Sequence, residues 1–151
     1  MTIEKYKEIL IMAINNEVEA YDFYNNAAQK SQSENLKTTF KELAEDELNH
    51  KRTLEAFLNN ETKQMQFSEV ADYKVSESVE LPKLTNEMSF IDGITLAMKK
   101  EEEAMDMYNK FADASTEQAQ KEMFLQLAKM ELGHKAKLEN IYLNSAHTEV
   151  W

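Results

Sequence analysis

The chain has 151 residues, of which 28 are Asp or Glu and 17 are Lys or Arg, and its formal net charge is −11 at pH 7. This charge disfavours binding to nucleic acid or to anionic membranes, because their phosphate groups would be repelled. Two Gly and one Pro are too few for a fold of many β-hairpins or for a glycine-rich phosphate-binding loop, and the lack of Cys excludes disulfides, thiolate nucleophiles and iron–sulfur centres held by these residues.

The chain shows no signal for a membrane or for export. Its longest uninterrupted apolar run, residues 9–14, is far shorter than a bilayer crossing requires. The N-terminus lacks the basic stretch followed by an apolar core that marks a signal peptide. We therefore expect a soluble cytoplasmic protein.

Apolar residues that recur every three to four positions predict an all-α fold of four amphipathic helices. Short connections join the first helix to the second and the third to the fourth, so each pair is predicted to be an antiparallel hairpin. Serines before the second and fourth helices, Ser31 and Ser115, predict capping boxes. The predicted helices cover about residues 3–30, 33–59, 90–114 and 116–144.

The two hairpins are copies of one another. A shift of 84 residues aligns residues 9–60 with residues 93–144, and 20 of the 52 aligned positions are identical. We expect a single domain, residues 1–151, in which hairpin one covers about 3–59 and hairpin two about 90–144. Residues 61–89 carry the only Pro and form a long crossover that joins the two hairpins of a four-helix bundle.

An acid interrupts the apolar stripe of every predicted helix near its middle, and two helices add a His three residues later. A single Glu on an apolar face is more often a boundary residue, and a lone His is more often a hydrogen-bonded core residue. Four carboxylates inside one bundle, however, would repel each other and lose hydration unless divalent cations balanced them. One Glu from each of two helices plus Glu-x-x-His from each of the other two is the ligand inventory of a dinuclear carboxylate site. The predicted metal ligands are Glu17, Glu47, His50, Glu101, Glu131 and His134.

Four motifs carry a resemblance to a known family. They are Glu17-x6-Tyr24, Asp46-Glu47-x-x-His50, Glu101-x6-Tyr108 and Glu131-x-x-His134. In this order they resemble the motifs of ferritin-like di-iron proteins, and most closely those of the rubrerythrin group in the form without a rubredoxin domain. The resemblance covers both hairpins and implies a ferritin-like four-helix bundle that binds two iron ions per chain.

The resemblance also implies a role for each residue. Glu17 and Glu101 would be terminal ligands, Glu47 and Glu131 would bridge the metals, and His50 and His134 would each give one nitrogen ligand. Tyr24 and Tyr108 would form hydrogen bonds to the ligands, although core aromatics explain them equally well. Asp46 resembles the acid that orients a ligand His from the facing helix, and its counterpart in the second half is Met130.

The chain departs from the rubrerythrin pattern in two respects. Rubrerythrins have an additional Glu one turn after the ligand of the third helix, and this chain has Ala104 at that position. The rubredoxin module is also missing. Both departures bear on the reaction rather than on the ligand set.

The first functional hypothesis is a di-iron oxidoreductase, a rubrerythrin-like peroxidase that reduces hydrogen peroxide or dioxygen with electrons from an external donor such as rubredoxin. The alternative is a ferroxidase that handles iron. A dimanganese catalase, a di-iron oxygenase and a metal-free helical adaptor remain further alternatives, and the sequence does not choose iron over manganese. We expect a homodimer, and residues 61–89 are long enough to exchange a hairpin between two chains.

Overall fold

A computed structural model describes residues 3–61, 83–85 and 87–145 of the chain. Within these ranges every regular element is helical, and the prediction of an all-α four-helix bundle is confirmed. A π-helical turn, Phe57–Glu61, continues the second helix. None of the helices described has the long apolar stretch that crossing a membrane requires. The helices are α1 (Ile3–Lys30), α2 (Glu34–Ala56), α3 (Phe90–Ala114) and α4 (Gln118–Ser145).

The predicted capping boxes are wrong. The Ser31 hydroxyl donates a hydrogen bond to the Ala27 carbonyl oxygen at 2.7 Å, and the Ser115 hydroxyl does the same to the Phe111 carbonyl oxygen at 2.7 Å. Both serines thus end one helix instead of starting the next, because a Ser hydroxyl can bond the carbonyl four residues back as well as a free amide ahead. The N-cap of α2 is Ser33, whose side chain accepts a hydrogen bond of 3.4 Å from an amide of the first turn.

Two hydrophobic core clusters occupy opposite ends of the bundle. Close backbone approach is concentrated within the α1–α2 and α3–α4 hairpins, so side chains fill the wider space between the hairpins. The first core cluster includes Leu10 of α1 and Phe111 of α3, and the second includes Phe23 of α1 and Ile94 of α3. On every helix, the predicted metal ligands lie between the residues that belong to the two clusters.

The described end of the crossover is attached to both hairpins. Leu84 is buried in the second core cluster, and its backbone N–H donates a hydrogen bond of 2.6 Å to Glu19 Oε1 on α1. Lys100 Nζ on α3 lies 2.8 Å from the same carboxylate oxygen. The rest of the crossover, and with it the predicted exchange of hairpins, lies outside the described residues. The homodimer stays a prediction.

The two helical glycines have different surroundings, which predicts different effects of alanine. A Cβ on Gly133 would meet no atom within 4 Å, whereas a Cβ on Gly93 would lie 2.9 Å from two ring carbons of Phe23. We expect Gly133→Ala to raise the free energy of unfolding by ~1 kcal/mol, the difference in helix propensity. Gly93→Ala gains the same helix propensity but loses ~1–3 kcal/mol to overpacking against the Phe23 ring, so we expect it to be less stable than Gly133→Ala and no more stable than the wild type. Urea unfolding of the metal-free proteins checks both; equal effects of the two substitutions would contradict the packing described.

Candidate metal centre

The six predicted metal ligands come together in the middle of the bundle. Each of the four helices contributes a Glu there, and α2 and α4 also contribute a His from the next turn. None of the six residues is more than 3% exposed. Glu and His three positions apart lie on one face of a helix, so both side chains of each Glu-x-x-His motif can reach the same space.

The donor atoms form two overlapping sets of four. Within each set, one nitrogen or oxygen atom from every residue lies within 4.8 Å of the others. We call them the His50 set, which consists of Glu17, Glu47, His50 and Glu131, and the His134 set, which consists of Glu47, Glu101, Glu131 and His134. Glu47 and Glu131 belong to both sets, the placement expected of bridging carboxylates. Glu17 and Glu101 belong to one set each, the placement expected of terminal ligands.

The contacts of the two histidines repeat the sequence duplication. His50 Nδ1 lies 2.6 Å from an oxygen of Glu131 and 3.6 Å from an oxygen of Glu17. His134 Nδ1 lies 2.7 Å from an oxygen of Glu47 and 3.5 Å from an oxygen of Glu101. The two imidazole rings are nearly parallel, with centroids 5.7 Å apart and an interplanar angle of 15°. Each His therefore approaches the shared Glu of the opposite hairpin and the terminal Glu of its own.

One nitrogen or oxygen atom of each candidate ligand lies at the centre of these contacts and has no hydrogen-bond partner. Buried polar atoms are nearly always hydrogen bonded, so a group of unpartnered ones requires an explanation. Two divalent cations would supply it, since their charge balances four carboxylates and imidazole nitrogens complete the coordination. The six residues therefore fit a dinuclear metal site. The unpartnered atoms are Glu17 Oε2, Glu47 Oε1, His50 Nδ1, Glu101 Oε2, Glu131 Oε1 and His134 Nδ1.

Without metal, the centre must hold protons. Burial and the neighbouring carboxylates raise the pKa of Glu47 and that of Glu131 well above 4.5. Burial also acts to raise the pKa of Glu101, but the adjacent Glu131 and His134 side chains and the hydrogen bond from Tyr24 stabilise its carboxylate, and the net pKa is lowered. Burial acts to lower the pKa of His134, and the nearby carboxylates of Glu101 and Asp46 reverse this effect, so that pKa is raised. Metal binding must therefore displace protons from the shared carboxyl groups.

Both predicted tyrosines contact the centre, in a crossed pattern. The Tyr24 hydroxyl donates a hydrogen bond of 2.7 Å to Glu101 Oε1, and the Tyr108 hydroxyl donates one of 2.7 Å to Glu17 Oε1. Each Tyr thus bonds the terminal Glu of the other hairpin instead of the Glu in its own motif. Both rings are also fully buried in the core clusters, so the two interpretations of these tyrosines apply together. Burial and the nearby carboxylates raise both phenol pKa values well above 10.0, so each hydroxyl keeps its proton.

The two ligand histidines differ in what contacts their outer nitrogen. His134 Nε2 lies 3.0 Å from Asp46 Oδ2, and His50 Nε2 lies 3.4 Å from Met130 Sδ. Asp46 is therefore placed as the resemblance implies. The 84-residue shift aligns Met130 with Asp46, and it predicts that only one of the two histidines has a carboxylate beside its outer nitrogen.

Among the described residues, no additional acid takes the place of the Glu that rubrerythrins carry on the third helix. Ala104 is partly buried and packs against the first core cluster. The neighbouring Glu102 faces outward, where its carboxylate lies 3.8 Å from Lys135 Nζ. Among the residues that the structure describes, the two sets therefore contain four Glu in total.

The raised pKa values predict how stability depends on pH. Because folded Glu47 and Glu131 hold protons that the unfolded chain releases above pH 4.5, the metal-free protein should lose stability as pH rises from there through the raised pKa values. The raised pKa of His134 also makes stability fall as pH rises. The lowered pKa of Glu101 changes stability only below about pH 4.5. We expect the Tm of the metal-free protein to fall as pH rises above about 4.5.

A substituted carboxylate identifies the source of this pH dependence. Glu131→Gln should reduce the fall of Tm with pH, whereas Glu139→Gln, at an exposed position of α4, should leave it unchanged. Saturating divalent metal should remove the fall, because deprotonated ligands bind metal more tightly. A Tm that rises with pH in the metal-free protein would contradict the protonation described.

Comparison with known proteins agrees with this geometry. The family model of rubrerythrin matches residues 8–142, a range that includes all six candidate ligands. The fold is similar to the crystal structure of a protein from Thermotoga maritima described as a candidate ferritin-like diiron-carboxylate protein, with a TM-score of 0.70, 18% identity, and coverage of 96% of this chain and 97% of that chain. No curated protein sequence matches. The chain belongs to the rubrerythrin family of ferritin-like proteins, and this membership implies a dinuclear metal site.

Proposed function

We propose that the protein is a di-iron oxidoreductase that reduces hydrogen peroxide or dioxygen, as a rubrerythrin-like peroxidase would, with electrons from an external donor. One observation carries the proposal: two buried sets of unpartnered carboxylate and imidazole atoms share Glu47 and Glu131. Two bound iron ions would supply the pair of electrons that cleavage of an O–O bond consumes. The alternative metal for this donor set is manganese.

The chain itself orients the terminal carboxylates. In Glu17 and Glu101, one oxygen accepts a hydrogen bond from a tyrosine and the other lies unpartnered in the centre. Because the phenol pKa values are raised, Tyr24 and Tyr108 remain donors and hold each carboxylate with one oxygen available for coordination. The proposed role of both tyrosines is therefore to position ligands, a role that a phenylalanine could not perform.

Aromatic residues exclude water at both ends of the centre. Tyr24 stacks on Phe40, with ring centroids 6.3 Å apart, and Tyr108 stacks on Phe124, with centroids 6.4 Å apart. All four side chains are fully buried. In such a water-excluded site, charges and hydrogen bonds act more strongly than in solvent, which favours a charged metal centre that is held in one geometry.

The electrons must come from elsewhere. None of the 151 residues is a Cys, so these residues cannot hold a rubredoxin-type or iron–sulfur centre. The proposal therefore includes an external donor, either rubredoxin or another small electron carrier.

Oxidation of protein that has been loaded with Fe(II) under anaerobic conditions tests the proposal. We expect two Fe(II) ions per chain, and we expect one equivalent of hydrogen peroxide to oxidise both faster than dioxygen does, as measured by stopped-flow absorbance. Faster oxidation by dioxygen, with iron accumulating beyond two ions per chain, would instead support the ferroxidase. Manganese instead of iron in the protein as purified would favour the dimanganese alternative.

Substituted ligands connect this reaction to the centre. Glu47→Ala and His134→Ala should each abolish stoichiometric binding of two ions and slow oxidation by peroxide by more than about tenfold, the lower limit observed when even an outer partner of a metal ligand is lost. Helix content measured by circular dichroism should stay unchanged. The matched control is Glu102→Gln, which removes an outward-facing carboxylate next to a ligand. Normal two-ion binding by either ligand variant would contradict the assignment.

A further inference from the structure

We propose that the two metal positions are inequivalent and fill in a fixed order. The position in the His134 set binds metal first and more tightly, because Asp46 supports its histidine. The position in the His50 set binds second and more weakly, because its histidine faces Met130. This inference rests on the proposed dinuclear site and deepens it, since it names the residues that distinguish two positions with the same ligands.

The internal duplication acts as a built-in control, because nearly every contact of the centre occurs twice. The contact from His to the shared Glu is 2.6 Å in one half and 2.7 Å in the other, and the contact to the terminal Glu is 3.6 Å and 3.5 Å. Both hydrogen bonds from tyrosine measure 2.7 Å. The two stacked aromatic pairs have nearly equal centroid distances, 6.3 and 6.4 Å. The contact of the outer histidine nitrogen is where the two halves diverge.

On one side, a carboxylate determines the state of the imidazole. An ionised carboxylate only accepts hydrogen bonds, so the 3.0 Å contact between Asp46 Oδ2 and His134 Nε2 places the ring proton on Nε2. Nδ1 then carries a lone pair directed into the His134 set, where it lies unpartnered. A carboxylate in this place fixes the tautomer, orients the ring and raises the basicity of the coordinating nitrogen.

On the other side, this support is missing. The Met130 sulfur lies 3.4 Å from His50 Nε2, but a thioether carries no charge and is a weak acceptor. The tautomer and ring orientation of His50 are therefore less constrained than those of His134. Loss of an outer partner of a metal ligand typically reduces metal affinity about 10–100-fold, and we expect the intrinsic affinities of the two positions to differ by this amount.

Two separate binding steps would not by themselves show that the two positions differ in intrinsic affinity. Two cations that share two carboxylates repel each other, and this repulsion alone weakens the second step. Repulsion is common to all variants with the same six ligands, whereas the asymmetry depends on positions 46 and 130. Asp46→Met gives both histidines a thioether, Met130→Asp gives both a carboxylate, and the double variant D46M/M130D exchanges the two sides. The comparison among these three variants separates the two effects.

The measured quantity is the ratio of the two stepwise binding constants for Co(II), obtained by titrating the metal-free protein and following visible absorbance. We expect Asp46→Met to weaken the first step and Met130→Asp to strengthen the second, so the ratio falls about 10–100-fold in both single variants. The double variant should restore the ratio of the wild type. A purely structural effect of either substitution would not be reversed by the second one.

The order of filling is read from the imidazoles. In protein labelled with 15N at histidine, one equivalent of Co(II) should shift the ring signals of His134 before those of His50. In the double variant, the signals of His50 should shift first. Signals of the same histidine shifting first in both proteins would overturn the proposal.

Two exposed neighbours provide matched controls for charge. Glu45→Gln removes one negative charge next to Asp46, and Lys129→Gln makes the chain more negative next to Met130, as Met130→Asp does. Both controls should keep the wild-type ratio. If Met130→Asp fails to fold, as judged by circular dichroism, Asp46→Met alone decides, and a first-step affinity unchanged within threefold overturns the inference.

The remaining outcomes separate this inference from the proposed function. Two bound ions whose ratio is the same in the wild type and in both single variants would overturn the inequivalence and leave the dinuclear centre intact. Fewer than two Co(II) ions bound by the wild type would overturn both. Slow oxidation by peroxide, with the expected binding ratios, would contradict only the proposed reaction.

Discussion

Four glutamates buried between the two hydrophobic core clusters are the constraint on which the rest of this structure depends. Such carboxylates lose hydration and repel one another, and either protons or cations must compensate. In the metal-free chain, the raised pKa values of Glu47 and Glu131 favour the protonated form of these carboxyl groups. The six unpartnered atoms directed at the same space fit the second solution, in which two metal ions replace the protons.

The duplication distributes this centre so that neither hairpin can assemble it alone. The His50 set takes three residues from the first hairpin and Glu131 from the second. The His134 set takes three residues from the second hairpin and Glu47 from the first. The crossed hydrogen bonds from Tyr24 and Tyr108 also join α1 to α3. Packing of the two hairpins against each other therefore brings the six candidate ligands together, because both hairpins supply side chains to each set.

Helix periodicity made much of this structure predictable. An acid on an apolar stripe contradicts the pattern around it, and four such acids at matching positions, two of them followed by a His three residues later, predict all six side chains that meet in the centre. The capping boxes of α2 and α4 are predicted wrongly, although both helices begin within two residues of the predicted positions, because the hydroxyls of Ser31 and Ser115 can bond either a carbonyl behind or an amide ahead. The crossed pairing of Tyr24 with Glu101 depends on how the helices are placed against each other, which local sequence does not specify.

The most direct test of the central claim is anomalous diffraction at the iron absorption edge from crystals of the iron-loaded protein. We expect two peaks between the core clusters, one within coordination distance of His50 and the other of His134, with Glu47 and Glu131 in contact with both. A single peak, or iron bound away from these residues, would contradict a dinuclear centre built from the duplicated hairpins.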